Sequence, residues 1–269
     1  MTPFQTRRHP FVRQCRRLAV GREDTPGDVL LDGLHLLQEA LAAGLEGMTV
    51  GVGQDARSRP DVAEALRRAQ AAGGTVLDLS QDALEAASPV RSPSGVVAIA
   101  RFQSGSLESA LDRGPALIVT AVDVQDPGNV GAIIRAAGAA GATGVVIAGR
   151  SADPLGWRAI RGSMGSVFRM PLAIAGAADA VIGAARDRGI ATMAAAPGIG
   201  TDVFAADLTR PIMLLVGGEG GGLAPDTLAA CDERIRIPMD SQVESLNVAV
   251  AAGVMLFEAR RQRNRRGPA

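Results

Sequence analysis

Four apolar runs in the second half of the chain constrain its fold more than any other feature. They cover residues 116–122, 144–149, 189–195 and 210–216, and stretches with helical periodicity separate them. Continuous apolar runs of this length are typical of strands that are buried on both faces. Strands that alternate with helices form parallel sheets with right-handed crossovers. We therefore predict an α/β domain built on a parallel sheet over residues 115–269.

The first half of the chain alternates in the same way on a smaller scale. We predict, in order, a basic amphipathic helix over 1–22, a strand and a helix over 29–43, a strand over 48–53, a helix over 61–72, a strand over 74–79, a short helix over 82–87 and a strand over 95–101. A stretch rich in Gly, Ser and charge follows, which is typical of a linker. The predicted organisation is a first domain over 1–105, a linker over 106–114 and a second domain over 115–269.

The composition excludes several classes of protein. Hydrophobic residues make up 47% of the chain and charged residues 21%, so a sizeable core is expected rather than disorder. No apolar run is long enough to span a membrane, and the N-terminus lacks a signal-type apolar segment, so we expect a cytoplasmic protein with no membrane partner. Cys15 and Cys231 are the only cysteines, and there are two histidines. We expect neither a metal site nor a disulfide framework.

Positive charge is concentrated at the two ends of the chain. The formal net charge is zero, and all 28 basic residues are Arg. Six lie near the N-terminus and five near the C-terminus: Arg7, Arg8, Arg13, Arg16, Arg17 and Arg22, and Arg260, Arg261, Arg263, Arg265 and Arg266. The planar guanidinium donates two parallel hydrogen bonds to phosphate, which favours a nucleic-acid partner. Genome base composition and a solvated helix end explain the C-terminal cluster equally well, so both interpretations stay open there.

Three stretches carry the residues with chemical potential. The first, DPGNVGAIIR over 126–135, begins a helix directly after a buried strand, where α/β sheets place ligand sites. The second, LLVGGEGGGL over 214–223, surrounds one Glu with five glycines, which permit close backbone approach to a ligand. A flexible loop is the alternative. Neither the G-x-G-x-x-G fingerprint of dinucleotide-binding folds nor a phosphate-binding G-K-[ST] occurs.

The third stretch covers residues 237–258, IPMDSQVESLNVAVAAGVMLFE. Pro238 stops a short extended piece, and a helical pattern follows with an apolar face: Leu246, Ala249, Val250, Gly253, Val254 and Phe257. We predict a helix over 244–258 that starts with Glu244, Ser245 and Asn247. These polar side chains serve either as a helix cap or as part of a ligand site.

In this order, the three stretches resemble the motifs of the SpoU (TrmH-like) branch of the SPOUT RNA methyltransferases. The resemblance covers residues 115 to about 262. It implies a trefoil-knotted second domain that binds S-adenosylmethionine (SAM), forms a homodimer and transfers a methyl group to a ribose 2′-hydroxyl of RNA. The first half looks like the small ribosomal-protein-like α/β domain that binds the RNA substrate in such enzymes. One departure is Asp240–Glu244, where many relatives carry a glycine.

The resemblance also implies roles for individual residues. The catalytic site would comprise Asn129, Arg135, Glu219, Ser245 and Asn247, and the cofactor site Gly217, Gly218, Ile237, Met239 and Leu246. Arg135 lies off the apolar stripe of its helix, so an ordinary solvated arginine is the alternative. A functional Arg135 is either the general base or a grip on a phosphate beside the ribose. Arg161, Ser163 and Met164 are expected to extend the RNA or cofactor face.

The RNA target stays open at this point. A two-domain layout favours ribosomal RNA over transfer RNA, and thiostrepton-resistance methyltransferases share that layout. The alternatives are a transfer-RNA 2′-O-methyltransferase, an enzyme that modifies another RNA atom, and a non-catalytic RNA- or ribosome-binding protein that kept the knot.

Overall fold

The computed structural model describes residues 5–21, 26–240 and 242–265, which divide into two compact units. The first unit contains the described residues up to Gln103 together with Leu155–Phe168. The second contains Ser104–Pro154 and the described residues from Arg169 onward. No helix in the described ranges is long and apolar enough to cross a bilayer.

The first half of the chain folds around a mixed sheet. Its elements are α1 Pro10–Ala19, β1 Asp28–Asp32, α2 Leu34–Ala42, β2 Thr49–Gly53, α3 Gln54–Arg57, α4 Pro60–Ala71, β3 Thr75–Leu79, α5 Gln81–Ala87 and β4 Val96–Arg101. Within the described residues the sheet has four strands in the order β1-β4-β2-β3, and only the β2–β3 pair is parallel. Strands β1, β2 and β4 are almost wholly buried, whereas β3 is buried only at Leu79. The predicted alternation of strand and helix is confirmed, but the helix predicted over 1–22 is shorter, because α1 begins at Pro10 and residues 5–9 are not helical.

The second half forms the larger parallel sheet. Its elements are α6 Leu107–Leu111, β5 Leu117–Val122, α7 Pro127–Ala140, β6 Gly144–Ala148, α8 Trp157–Ser163, a 3-10 turn Ser166–Phe168, β7 Leu172–Ala175, α9 Ala178–Arg186, β8 Ala191–Ala195, β9 Thr201–Asp202, β10 Ile212–Gly217, α10 Pro225–Ala230, β11 Glu233–Arg236 and α11 Val248–Arg265. In the described residues the strand order is β7-β6-β5-β10-β8-β11-β9, and every recorded pair is parallel. The predicted parallel-sheet α/β class is confirmed.

The domain boundary predicted from sequence differs from the structure in two places. Residues 106–114 are not an irregular linker, because they contain α6, whose Leu111 is buried in the core of the second unit. Leu155–Phe168 belong to the first unit although they lie between β6 and β7. The Trp157 indole Nε1 donates to the Ala19 carbonyl at 2.9 Å, and Phe168 packs edge to face on Phe102 with ring centroids 5.2 Å apart. These apolar side chains are buried by folding with residues far earlier in the chain, which a reading of local pattern does not detect.

Helix α11 differs from its prediction in its start and in its buried face. It begins at Val248, so Glu244–Asn247 precede it. The buried stripe is Val248, Ala252, Met255, Leu256 and Ala259. Val250 and Phe257, which belong to the apolar face that the sequence picked out, are 53% and 50% exposed. The helix is apolar on two sides, and packing within the chain covers only one of them.

Candidate functional site

The predicted site residues of the second unit gather at one edge of its sheet. Strands β5, β10, β8 and β11 are consecutive neighbours in the parallel sheet, so their carboxyl ends lie along the same edge. The three motif stretches leave the sheet at this edge. This is the position where open α/β sheets bind ligands.

Helix α7 places the first motif at this edge. The Asp126 side chain caps the helix and accepts a hydrogen bond from the backbone N–H of Asn129 at 2.9 Å. Pro127 occupies the first helical position, where its missing N–H costs no hydrogen bond. Residues 126–128 are therefore the cap and the start of the first turn of α7. This geometry fixes the start of the helix and with it the position of Asn129.

Asn129 connects the three motifs. Its Nδ2 donates to Glu219 Oε1 in the glycine-rich loop, and its Oδ1 accepts from Asn247 Nδ2 at 3.0 Å. The two partners lie 90 and 118 residues further along the chain. One amide side chain therefore uses both its donor and its acceptor to join segments that follow different strands.

Asn247 has two roles at the start of α11. Its Oδ1 accepts from the backbone N–H groups of Ala249 and Val250 at 2.9 and 3.3 Å, which is the geometry of a helix N-cap. Its Nδ2 is then directed to Asn129. The sequence left open whether Asn247 is a helix cap or a site residue. The structure combines the two roles, since Oδ1 caps the helix and Nδ2 donates to Asn129.

The glycine-rich loop depends on close backbone packing. A Cβ atom on Gly217 would lie 2.1 Å from the Gly222 carbonyl carbon, and one on Gly218 would lie 2.1 Å from the Asp123 carbonyl oxygen. No side chain fits at such distances. The Gly222 N–H donates back to the Gly218 carbonyl at 3.1 Å, which closes the loop. Glycine at 217 and 218 therefore keeps the loop folded against β5 and holds Glu219 next to α7.

Two adjoining cavities open beside this network. The larger, of about 520 Å³, is lined by the loop Gly217–Gly222, by Glu244–Val248 and by residues after β8. The smaller, of about 70 Å³, is mainly apolar and is lined by Ile235–Ile237, Met239 and Met255 among others. Ser245 and Leu246 line both. Each of the five residues predicted to bind the cofactor lies on one of these cavities: Gly217, Gly218, Ile237, Met239 and Leu246.

Two of the predicted catalytic residues stand apart from the hydrogen-bond network. Ser245 lies on the cavity wall and is exposed. Arg135 is also exposed, about 9 Å along the axis of α7 from Asn129. Within the described ranges its guanidinium has no hydrogen-bond or ion-pair partner. Val130, Ile133 and Ile134 of the same helix are buried, as the periodicity predicted.

The residues expected to extend this face lie in the other unit. Arg161 forms an ion pair with Asp32 at 3.5 Å, and the buried Ser163 donates to the Ile160 carbonyl at 2.8 Å. Met164 ends α8 in the left-handed conformation with φ 50°. The structure gives Arg161 and Ser163 partners within the first unit. In the described part of the chain, no three His, Cys, Asp or Glu side chains are grouped to hold a metal ion.

Sequence reasoning missed Asp123, which lies between the motifs. It follows β5 directly and has φ 55°, a rare conformation for a residue other than glycine. Its carboxylate accepts from the Arg150 backbone N–H at 2.7 Å, and its carbonyl faces Gly218. Such strain clusters at functional sites. The detectable signal is its position as the first charged residue after a fully buried strand.

Comparison with known proteins agrees with this geometry. The model of the SpoU rRNA Methylase family matches residues 116–257. An uncharacterized tRNA/rRNA methyltransferase of Mycobacterium tuberculosis is 33% identical over 265 residues, which is 96% of this chain and 82% of that protein.

Solved structures agree over the same extent of the chain. An AdoMet-bound rRNA methyltransferase from Sinorhizobium meliloti superposes with a TM-score of 0.83 at 32% identity, over 94% of this chain and 95% of that one. An RNA 2′-O ribose methyltransferase gives a TM-score of 0.83 at 32% identity, over 97% of this chain and all of the other. The resemblance predicted from the three motifs is confirmed, and the chain belongs to the SpoU rRNA Methylase family of RNA methyltransferases.

Proposed function

We propose that this protein transfers a methyl group from SAM to a ribose 2′-hydroxyl of RNA, with ribosomal RNA preferred over transfer RNA. The observation that carries the proposal is the junction of Asn129, Glu219 and Asn247 beside two adjoining cavities that together are lined by all five expected cofactor residues. The 2′-O specificity is supported by the similarity to an RNA 2′-O ribose methyltransferase.

The cavities suit SAM in size and character. Ligand cavities are typically about 300–1,000 Å³, with mostly apolar walls and a few placed polar groups. Ile237, Met239 and Leu246 offer apolar surface, and the carboxylates of Glu219 and Glu244 lie on the larger cavity. SAM supplies a methyl group on a positively charged sulfur, which is a good electrophile for an oxygen nucleophile. Nearby carboxylates favour binding of a cation through Coulomb attraction.

The protein's own residues position the acceptor. Asn129 is held at both ends of its amide, so its orientation is fixed before RNA binds. Such preorganisation supplies much of the acceleration in a displacement that needs in-line geometry. Arg135 offers an exposed guanidinium, whose planar fork of donors matches a phosphate. We assign it the role of gripping a phosphate next to the target ribose, with the general-base role as the alternative.

We also propose a homodimer through the second unit. Val250 and Phe257 leave an apolar face of α11 about half exposed on the side away from the chain's own core. A helix that is apolar on two sides is usually covered on both. A second copy of the chain is the occupant that family resemblance suggests.

The chain path that we propose for the second unit is a trefoil knot. Ile237–Asn247 lie around the same cavities as the Gly217–Gly222 loop, and α11 then packs on α7. This return of the C-terminal segment across an earlier loop supports the proposal. An experimentally determined backbone that becomes a straight, unknotted line when its two ends are drawn apart would contradict it.

The direct test is methyl transfer followed by nucleoside analysis. The protein is incubated with labelled SAM and either ribosomal or transfer RNA, and the digested nucleosides are identified by mass. We expect 2′-O-methylated nucleosides, mainly from ribosomal RNA. Label on a base atom would contradict the 2′-O assignment, and label mainly in transfer RNA would contradict the target. Absence of both SAM binding and transfer would support a non-catalytic RNA-binding protein.

A further inference from the structure

Helix α1 presents an uncompensated basic face. Phe11, Val12, Cys15 and Leu18 bury one side of the helix in the core of the first unit. Arg13 and Arg16 are exposed on the opposite side, at the i, i+3 spacing that makes neighbours on a helix. Arg7 and Arg8, in the turn before the helix, are exposed as well. The helix contains no acidic residue, so its net charge is positive along its whole length.

These arginines have no internal partner. The side chains of Arg7, Arg8, Arg13 and Arg16 make no hydrogen bond or ion pair with any residue in the described ranges. Like charges placed three or four residues apart on a helix destabilise it by a few tenths of a kcal/mol. The buried apolar side chains of α1 already pack the helix against the core. The exposed arginines make no core contacts that would offset the cost of their mutual repulsion.

The C-terminal arginines differ in this respect. The Arg260 Nη1 donates to the Ala139 carbonyl at 2.8 Å, and Arg261 forms a two-point ion pair with the buried Glu258 at 2.6 and 2.7 Å. Arg263 donates to four carbonyl oxygens, those of Leu208, Pro115, Ala116 and Arg210. Arg260 and Arg263 connect α11 to other segments of the second unit, and Arg261 forms its ion pair within the helix. Arg265 is exposed. Arg266 lies outside the described residues.

Helix α4 of the first unit has balanced charge, unlike α1. Helix α4 carries Asp61 and Glu64 together with Arg67 and Arg68, two acidic and two basic residues. Arg67 forms an ion pair with Glu64. Helix α1 therefore differs from α4 in the net charge of its exposed side chains rather than in the number of its arginines.

We propose that the Arg7/Arg8/Arg13/Arg16 face of α1 binds the phosphate backbone of RNA, while Arg260, Arg261 and Arg263 near the C-terminus are structural. Rows of exposed guanidinium groups suit phosphate because contacts to phosphate position a nucleic acid without reading its sequence. The inference rests on the proposed function, since it takes RNA to be the polyanion. It assigns the N-terminal and C-terminal clusters, which look alike in sequence, to different roles.

The test compares two double variants in the full-length protein. Arg13→Gln/Arg16→Gln removes two charges from α1, and Arg67→Gln/Arg68→Gln removes two from α4 as the matched control. Point substitutions are preferable to deleting the first unit, because Leu155–Phe168 are packed in it. The probe is a short fluorescein-labelled RNA hairpin, and its affinity is measured across a salt series with and without polyglutamate as competitor. Thermal unfolding and SAM binding report whether each variant is folded.

We expect the α1 variant to bind the hairpin roughly tenfold more weakly and the slope of log K against log salt to flatten by about 1.5. The control variant should match the wild type in both measurements. Equal RNA affinity of the wild type and the α1 variant would overturn the inference. Displacement of RNA by polyglutamate at equal charge would also overturn it, because the binding partner of α1 would then be an acidic protein. Failure of the proposed function would instead appear in the wild type, as absence of SAM binding and methyl transfer.

Discussion

The side-chain amide of Asn247 donates to the Asn129 Oδ1 at 3.0 Å and thereby joins the cap of α11 to the first turn of α7. The same residue caps its own helix through Oδ1. Stability and site geometry therefore depend on different atoms of one side chain, and substitution can separate them.

Asn247→Asp should keep the cap and lose the donor, because a carboxylate accepts from backbone N–H groups but cannot donate to Asn129. We expect near-wild-type thermal stability and methyl transfer slowed roughly ten- to hundredfold. Asn247→Ala should in addition lower the free energy of unfolding by about 1 kcal/mol. Calorimetry and initial rates provide the two measurements. Equal rates for the Asp variant and the wild type would show that the bond between Asn247 and Asn129 is not needed.

Substitution of Arg135 tests its assigned role. Arg135→Ala should abolish methyl transfer and leave SAM affinity intact, and an exposed site should change stability by less than about 0.5 kcal/mol. Arg135→Lys keeps the charge but loses the planar fork, so a phosphate grip should fail almost as badly. Activity of the Lys variant that rises with pH would favour the general base instead. Arg113→Ala, at another exposed arginine of the second unit, is the control. If the Arg135→Ala variant transfers methyl groups as fast as the control variant, Arg135 is not part of the catalytic site.

Gly218→Ala should disrupt the glycine-rich loop, because the added Cβ would lie 2.1 Å from the Asp123 carbonyl oxygen. Neither group can yield without moving backbone, so we expect SAM affinity measured by calorimetry to fall at least roughly tenfold. Gly221→Ala is the matched control in the same loop, since its Cβ would meet nothing within 4 Å. Similar affinities for the two variants would show that the loop does not form the cofactor site.

Phe257→Arg should dissociate the proposed dimer, because it places a charge at the centre of the exposed apolar face of α11. Light scattering at micromolar concentration should give the mass of two chains for the wild type and of one for the variant. Ile174→Arg, at a side chain 52% exposed on β7, is the control and should stay dimeric. A wild-type protein with the mass of one chain would refute the proposal.

The pH dependence of stability should include a contribution from Glu258. The hydrogen bond from Arg261, followed by that from Gln262, holds the pKa of this buried carboxyl below its ordinary value of 4.5. Because the pKa is lower in the folded than in the unfolded state, the stabilisation is present above pH 4.5 and is lost as pH falls through the folded value. Glu258→Gln removes the carboxylate and with it this pH-dependent contribution to the free energy of unfolding. Urea titrations should therefore show the wild type and the variant converging in unfolding free energy at acid pH, and a constant difference would contradict this.

The sequence determined the main strands of the second unit and the identity of its motifs. Strands such as β5 are recognisable because burial on both faces favours a nearly continuous apolar run, in which Thr120 is the one polar residue. The exposed position of Arg135 followed from helical periodicity alone. The order of the three motifs identified the family, since each motif keeps its residues close together in the chain.

Only the tertiary structure decided which of these residues meet and which faces are covered. Asn129, Glu219 and Asn247 are distant in sequence, and the parallel sheet brings them together by aligning the carboxyl ends of β5 and β10. Helix α11 starts after its N-cap Asn247, and the side chain of this residue is also held by Asn129, 118 residues earlier in the chain. Its buried stripe depended on packing against the chain's own sheet and α7, because an all-apolar helix does not specify by periodicity which side faces inward.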